Sequence, residues 1–381
     1  MGIENAVKRL KVNLFATPFD TLLTALVVPT LFWGIWTFCA WLLAVAQWHV
    51  IGQSAKVLMV GVFPAAELWR VWVAAFLFAV AMGLLVSSII PMRGLRAAST
   101  VIGILAVTAL ALQVSWSAGI NTFLVGSSLE CAWLLGQTLP RVRKLAGGLS
   151  LGALGLALYL LVPAGPATWG GFLLSVLLTA ISAALTIPIG AALAFGRQSK
   201  IGSIRILCTA YIEFMRAVPL ILVVYFIWIA FPLLLPSVPV PDVLRGLIGF
   251  VIFYSAFAAE YIRSGLQAVP RGQVEASEAL GLSSWDIKIR IVGPQAMRVA
   301  LPGMVGNVLD IFNYAPLVFI IGLADFLRVG QMILADPQNS DKVYEVYTFL
   351  FIVCFLVGSA VTYFARHLEA HLSKGISNEG R

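Results

Sequence analysis

The sequence predicts an all-α polytopic membrane protein of about ten transmembrane helices, five in each half of the chain. Of its 381 residues, 60% are hydrophobic and 11% charged, and the mean hydropathy is +0.96. A soluble domain has about a quarter of its residues charged, so this much apolar side chain has no destination except lipid. The apolar residues also come in successive runs of about 20, the length a helix needs to cross a hydrocarbon core. Lys and Arg gather in alternate connecting segments, as the positive-inside rule requires.

Residues 1–20 carry Lys8, Arg9 and Lys11 but lack the small-residue cleavage site of a secretory signal. Spans are expected at 22–47, 69–90, 100–118, 121–139 and 145–163. Glu130 interrupts the fourth, which leaves a re-entrant segment open there. Pro163-Ala164-Gly165-Pro166 then punctuates the apolar pattern. It separates an N-terminal membrane extension, residues 1–165, from a second unit, residues 166–381. That unit gives spans near 169–195, 217–236, 243–262, 300–323 and 346–364. A less apolar piece, Gly196 to Arg216, is read as lying along the membrane surface.

With ten spans and a cytoplasmic N-terminus, twenty of the 25 Lys and Arg residues fall on the inner side. Lys56, Arg70, Arg245, Arg328 and Lys342 are the remainder. Omitting the fourth span would strand either Arg93 and Arg96 or the Arg141-Arg143-Lys144 cluster outside, so parity favours keeping it. The net charge of +8 is thereby explained by orientation, and no nucleic-acid partner is expected. Cys39, Cys131, Cys208 and Cys354 form no CxxC pair and read as small hydrophobes. His367 and His371 are four apart, but HLEAH is not HExxH, and no metal site is expected.

The most polar stretch runs from Glu260 to Gln295 between apolar runs. Pro270 suits a first helical turn, and Gly281 sits where a helix C-terminus wants positive φ. Ser283 and Asp286 have capping-box spacing for a second short helix, which is expected to stop before Gly293-Pro294. The result is a helix–glycine–helix hairpin over 270–294, on the cytoplasmic side.

Glu275-Ala276-Ser277, then Gly281, then Ile291 and Pro294 carry a family resemblance. Membrane subunits of binding-protein-dependent ABC importers share a cytoplasmic loop of the form E-A-A, three residues, G, nine residues, I-x-L-P. Ser277 stands for alanine and Gly293 for leucine, while the spacing is intact. The resemblance runs from Trp169-Gly170 to about Tyr363 and implies a five-helix ABC importer core. The hairpin would then be a coupling element that docks in a groove of a separate ATPase subunit. A second stretch, Tyr211 to Leu220, is similar to the E-x-x-R-G-x-P pattern of polar amino-acid permeases, with Glu213, Arg216 and Pro219 matching and Ala217 in place of glycine. Glu260, three residues before Arg263, is also similar to that branch, and the overall length resembles the general L-amino-acid permeases.

Spacing of three on a helix predicts the pairs Glu213–Arg216 and Glu260–Arg263. In the 300–323 span, Asn307, Asp310, Asn313 and Tyr314 recur on one helical face. A carboxylate there must face water or protein, so these residues either line a substrate path or bind helices together. Polar amino-acid permeases commonly show K-D/E-T/S-S/A-L at this point, where this chain has Asn313-Tyr314-Ala315-Pro316-Leu317. Pro316 is expected to kink or break the helix.

The chain contains no G-x-x-x-x-G-K-[ST], so by that route it cannot cradle ATP phosphates. The resemblance therefore implies a permease subunit and not an enzyme, with no cofactor of its own, in the bacterial inner membrane. ATP and Mg would belong to partner ATPase subunits. An extracytoplasmic amino-acid-binding protein and a second permease subunit, or a copy of this one, would complete the assembly. Two alternatives stay open: an ABC permease for another small solute, and an ion-coupled secondary transporter. The second would need paired broken helices in two related halves, and no such internal repeat is visible. A membrane-embedded enzyme would need clustered His, Asp or Glu, against only three scattered histidines.

Overall fold

The computed structural model describes residues 14–89 and 94–378. Lys8, Arg9, Lys11 and Arg93, on which part of the orientation argument rests, lie outside the described residues. The chain divides into two compact units, Met1–Val50 and Ile51–Arg381.

The first unit holds α1, Pro18–Ala40, prolonged by a π-helical turn, Trp41–Val45. Thr17 and Asp20 form a capping box: the Asp20 N–H donates to Thr17 Oγ1 and the Thr17 N–H to Asp20 Oδ2, both at 3.1 Å. Pro18 occupies the first turn, where a missing N–H costs nothing. Leu22, Phe32, Trp33 and Trp36 are all exposed, so the helix has no polar face and fits a lipid surround on every side.

The second unit continues with α2, His49–Val60, and then α3, Leu68–Ile89. Next come α4, Gly94–Val114, α5, Trp116–Thr138, and α6, Pro140–Leu161. α3 packs on α5 and α6, and α4 on α5. Small residues bring these helices close, as lipid-embedded interfaces require. A Cβ on Gly83 would meet the α5 backbone at Leu129, and one on Gly136 would meet Ser87. Ser150 Oγ donates to the Ala81 carbonyl at 3.0 Å. Glu130 accepts from the Thr100 hydroxyl of α4. Its carboxyl is hydrogen-bonded inside the bundle, and α5 runs through it unbroken instead of re-entering.

The remaining helices are α7, Gly171–Arg197, α8, Gly202–Ala217, and α9, Leu220–Leu234. They are followed by α10, Asp242–Ala268, α11, Arg271–Ala279, and α12, Gly293–Tyr314. The last two are α13, Phe326–Leu334, and α14, Val343–Asn378. α10 is the central element and touches α7, α8, α9 and α12. Phe250, Ala256 and Ala259 on it are fully buried. One core cluster joins Val60, Phe63 and Leu161 to Leu174, Tyr254 and Ile311, so packing is continuous across residue 165.

Each of the ten expected spans overlaps a helix, the 100–118 span crossing the break at Ser115, but among the described residues eight helices are long and apolar enough to cross a membrane, or nine if one bent pair counts as a single span. The apolar part of α4, Ser99–Val114, is shorter than the rest. The expected 217–236 span is the second arm of the bent pair: the chain bends by 110° between α8 and α9. Pro219 supplies that break, since it withholds an N–H and pushes Val218 into extended backbone at φ −93°, ψ 139°.

α7, α13 and α2 meet at a tight corner. Gly171 donates its N–H to the Ala324 carbonyl at 2.8 Å and sits at φ +57° against the end of α2. Asp325, fully buried, caps α13 by accepting from the N–H groups of Leu327 (2.9 Å) and Arg328 (3.1 Å). Burial pushes its carboxyl up to about 6, against the pull of those two N–H groups. The folded chain therefore holds this proton more tightly than the unfolded one. Stability should fall as pH rises from the ordinary 3.8 through about 6 and be flat above it. Thermal unfolding in detergent between pH 4 and 7 checks the slope, and Asp325→Asn should flatten it. Gly171→Ala should cost about 2 kcal/mol or more, because its Cβ meets the Leu58 carbonyl and its φ is left-handed.

Candidate coupling hairpin and transport path

α10 ends at Ala268, and Pro270 starts α11. At the other end of α11 the Leu282 N–H donates to the Ser277 carbonyl (3.2 Å) and the Gly281 N–H to that of Glu278 (2.9 Å). That pair of bonds is a Schellman turn, and Gly281 at φ +75° is its left-handed residue. Ser283 restarts the helix, accepting from the Asp286 N–H at 3.1 Å. Glu275 and Ala276 are exposed. Leu280 is 80% and Trp285 71% exposed, so the tip presents an acid beside large apolar side chains. Ser277 is buried and donates to the Gln273 carbonyl at 2.6 Å, so its hydroxyl is satisfied where the family pattern has alanine. Ile291 and Pro294 line a cleft of about 330 Å³ together with Gln273, Arg290, Gln295 and Arg298.

The second helix does not stop before Gly293-Pro294. It runs from Ser284 through a π-helical segment, Ile287–Val292, directly into α12. Pro294 has no N–H to give to an α-helical partner, and the Gly293 N–H instead reaches five residues back to the Lys288 carbonyl. A Cβ at position 293 would lie 2.8 Å from that oxygen, which accounts for glycine where the family pattern has leucine.

About 12 Å above the base of the hairpin, by helical rise, lies a cluster of charges. Glu260 on α10 accepts from Arg197 Nη1 (2.6 Å) and Arg263 Nη2 (2.9 Å) and forms an ion pair with Arg216 Nη1 (3.5 Å). The expected Glu260–Arg263 pair is therefore present. The expected Glu213–Arg216 pair is not: Glu213 pairs with Arg197 at 2.9 Å, and Arg216 turns to Glu260 and the Phe257 ring. Both side chains leave α8 for partners on other helices, Glu213 for α7 and Arg216 for α10. Arg197 has no place in any motif, and its only sequence signal is a basic residue closing an apolar run. Pro219 starts α9.

Asn307 is buried, while Asp310, Asn313 and Tyr314 are exposed along α12. Tyr254 and Tyr261 of α10 lie within electrostatic reach of the Asp310 carboxylate, and Tyr261 also of Arg216. Asp310 of α12 thus lies near two phenols of α10. Gly303 backs directly onto the Tyr261 ring, which sets how closely the two helices approach. At Pro316 the α-helix gives way, as expected, to 3-10 turns over Ala315–Ile321.

Residues 186–374 match the family described as binding-protein-dependent transport system inner membrane component. An inner membrane amino-acid ABC transporter permease of Escherichia coli, YhdY, is 34% identical over 54% of this chain, a match spanning 57% of that relative's length. The glutamate/glutamine/aspartate/asparagine transport system permease BztC of Rhodobacter capsulatus is 27% identical over 97% of this chain and 94% of its own. A crystal structure of an amino acid ABC transporter with histidines is 26% identical, covers 52% of this chain and 91% of that one, and gives a TM-score of 0.48.

Gly281→Val should leave insertion intact yet abolish uptake, since a β-branched residue at φ +75° costs about 1–2 kcal/mol and unwinds the turn. Membrane yield and uptake, measured together, decide it; normal uptake would remove the hairpin from the mechanism. Gly293→Leu, although closer to the family pattern, should be similarly inactive here.

Proposed function

We propose, from the match of residues 186–374 to the family of binding-protein-dependent transport system inner membrane components, that the chain is the membrane-spanning permease subunit of an ATP-driven importer of polar L-amino acids. The observation that carries this reading is the hairpin. Its second arm runs unbroken into α12, which carries the polar strip, and its first arm follows α10 after a short break at Val269-Pro270, so a push on the tip reaches both spans. Glu275, Ala276 and Ser277 form the docking helix and Gly281 its bend; Ile291 and Pro294 lie at the hinge into α12. ATP and Mg are bound by two partner ATPase subunits, and their closure displaces the tip. An extracytoplasmic amino-acid-binding protein delivers cargo, and a second permease subunit or a copy of this chain completes the path.

The cargo class is supported by relatives named for amino-acid transport that match half or nearly all of the chain. Asp310 supplies the charged member of the path, with Asn307, Asn313 and Tyr314 beside it. Residues 166–381 are the transport domain, and residues 1–165 an added membrane extension. The chain sits in the bacterial inner membrane with its N-terminus in the cytoplasm.

The reading is tested by reconstituting the chain with its ATPase subunits and binding protein. Uptake of polar L-amino acids should require ATP and all three components. Asp310→Asn should weaken apparent affinity about tenfold or more, the worth of a charge-assisted hydrogen bond of about 1.5–3 kcal/mol. Unchanged uptake and substrate range in that variant would take Asp310 out of the path.

A further inference from the structure

At the end of the bundle away from the hairpin, α7, α12, α13 and α14 leave a cleft of about 370 Å³ between them. Its floor is aromatic. Phe172 of α7 stands edge-on to Phe312 of α12 at 6.4 Å and to Phe326 of α13 at 5.4 Å between ring centroids. Phe312 and Phe326 are buried, whereas Tyr347 and Phe351 of α14 form an exposed rim. Phe351 stacks on Phe355, and both rings point outward from an apolar span. The cleft therefore opens towards lipid and not towards water.

Its chemistry narrows the occupant. Among the described residues no charged side chain lines the cleft, so neither a zwitterionic amino acid nor a phosphate group finds a counter-charge inside it. Ser175 of α7 lines it, is 4% exposed, and its Oγ has no hydrogen-bond partner among the described residues. A buried donor left unmet costs more than a hydrogen bond normally returns, so this hydroxyl calls for an acceptor.

Depth identifies the acceptor. α7 has 27 residues, about 40 Å by helical rise, the thickness of a bilayer with both headgroup zones. Ser175 lies about 6 Å from the start of that helix, where the headgroup zone gives way to hydrocarbon. Tyr347 lies about 6 Å into α14, as an interfacial aromatic does. Cys354, also in the lining, is about 10 Å deeper along α14. A hydroxyl at ester depth above an apolar slot is the outline of one lipid tail.

We propose that this cleft binds one acyl chain of a membrane phospholipid, laid against Phe312 and Phe326, with its ester carbonyl accepting from the Ser175 hydroxyl. The tail packs α14 onto α7, α12 and α13 in the leaflet farther from the hairpin. The proposal needs only the membrane placement of these helices and stands whatever the hairpin docks on.

The test uses the full chain in vesicles of phosphatidylethanolamine and phosphatidylglycerol, with a trace of phosphatidylethanolamine carrying a diazirine along one acyl chain. After irradiation, adducts are mapped by mass spectrometry. Exposed Phe355 reports contact with bulk lipid, while Phe312 and Phe326 are reached only through the cleft. Adducts should appear on the buried pair as well as on Phe355. Cys354→Trp, which fills the cleft, should lower the buried-to-Phe355 ratio tenfold or more. Ser175→Ala, at limiting probe, should lower it about fivefold, the worth of one neutral hydrogen bond. Labelling confined to Phe355, or a ratio untouched by Cys354→Trp, would overturn the proposal. So would equal labelling of the buried pair by a free fatty acid carrying the same diazirine, which would make the ligand a free acid. If Cys354→Trp does not insert, Ser175→Ala decides, and an unchanged ratio there overturns the assignment.

Discussion

α10 and α12 approach each other through residues without bulk. A Cβ at Gly265 would strike the Ala296 carbonyl, and one at Gly303 would enter the Tyr261 ring. In lipid no hydrophobic force drives helices together, so backbone proximity and van der Waals packing must do it. That close pairing fixes where the hairpin hangs, because its two ends are these two helices. It also sets Asp310 on α12 against Tyr254 and Tyr261 on α10. The hairpin and the polar strip thus belong to one helix pair.

The hairpin itself is built from backbone economy. A Schellman turn at Gly281 satisfies carbonyls at the end of α11, and the Ser283 hydroxyl satisfies the Asp286 amide beyond it. Because the segment after Ser283 is helical all the way into α12, the hairpin is a rigid extension of a span and not a tethered loop. The π-helical segment is the local cost of placing Pro294 in that path, and Gly293 makes it sterically possible. Above it, Glu260 gathers three arginines from α7, α8 and α10 at the level where the spans leave the hairpin.

Much of this was legible in the residues taken alone, and the failures share one cause. Apolar runs placed a helix at every expected span, because burial in lipid is written in composition. Gly281, Ser283 and Asp286 announced the turn, because caps are local chemistry. The continuity through Gly293-Pro294 was hidden, since proline normally reads as a stop and the π-helical solution depends on the next carbonyl's position. α2 was missed because Gln53, Ser54 and Lys56 dilute its apolar content. The partner of Glu213 was misread for the reason that Arg197 went unnoticed: the Arg197–Glu260 contact spans 63 residues and the Arg197–Glu213 contact 16, so neither follows from helical spacing. Local rules found the elements; only the assembled bundle assigns the charges.

The most direct measurement is site-specific cross-linking from the hairpin tip. A photo-reactive group at Leu280, beside the Schellman turn, should form an adduct with a nucleotide-hydrolysing subunit in native membranes, and its yield should change when ATP is trapped. A group at that position that reacts only with reagents added from outside the cell, or that captures no ATPase in an assembled and active transporter, would contradict the account.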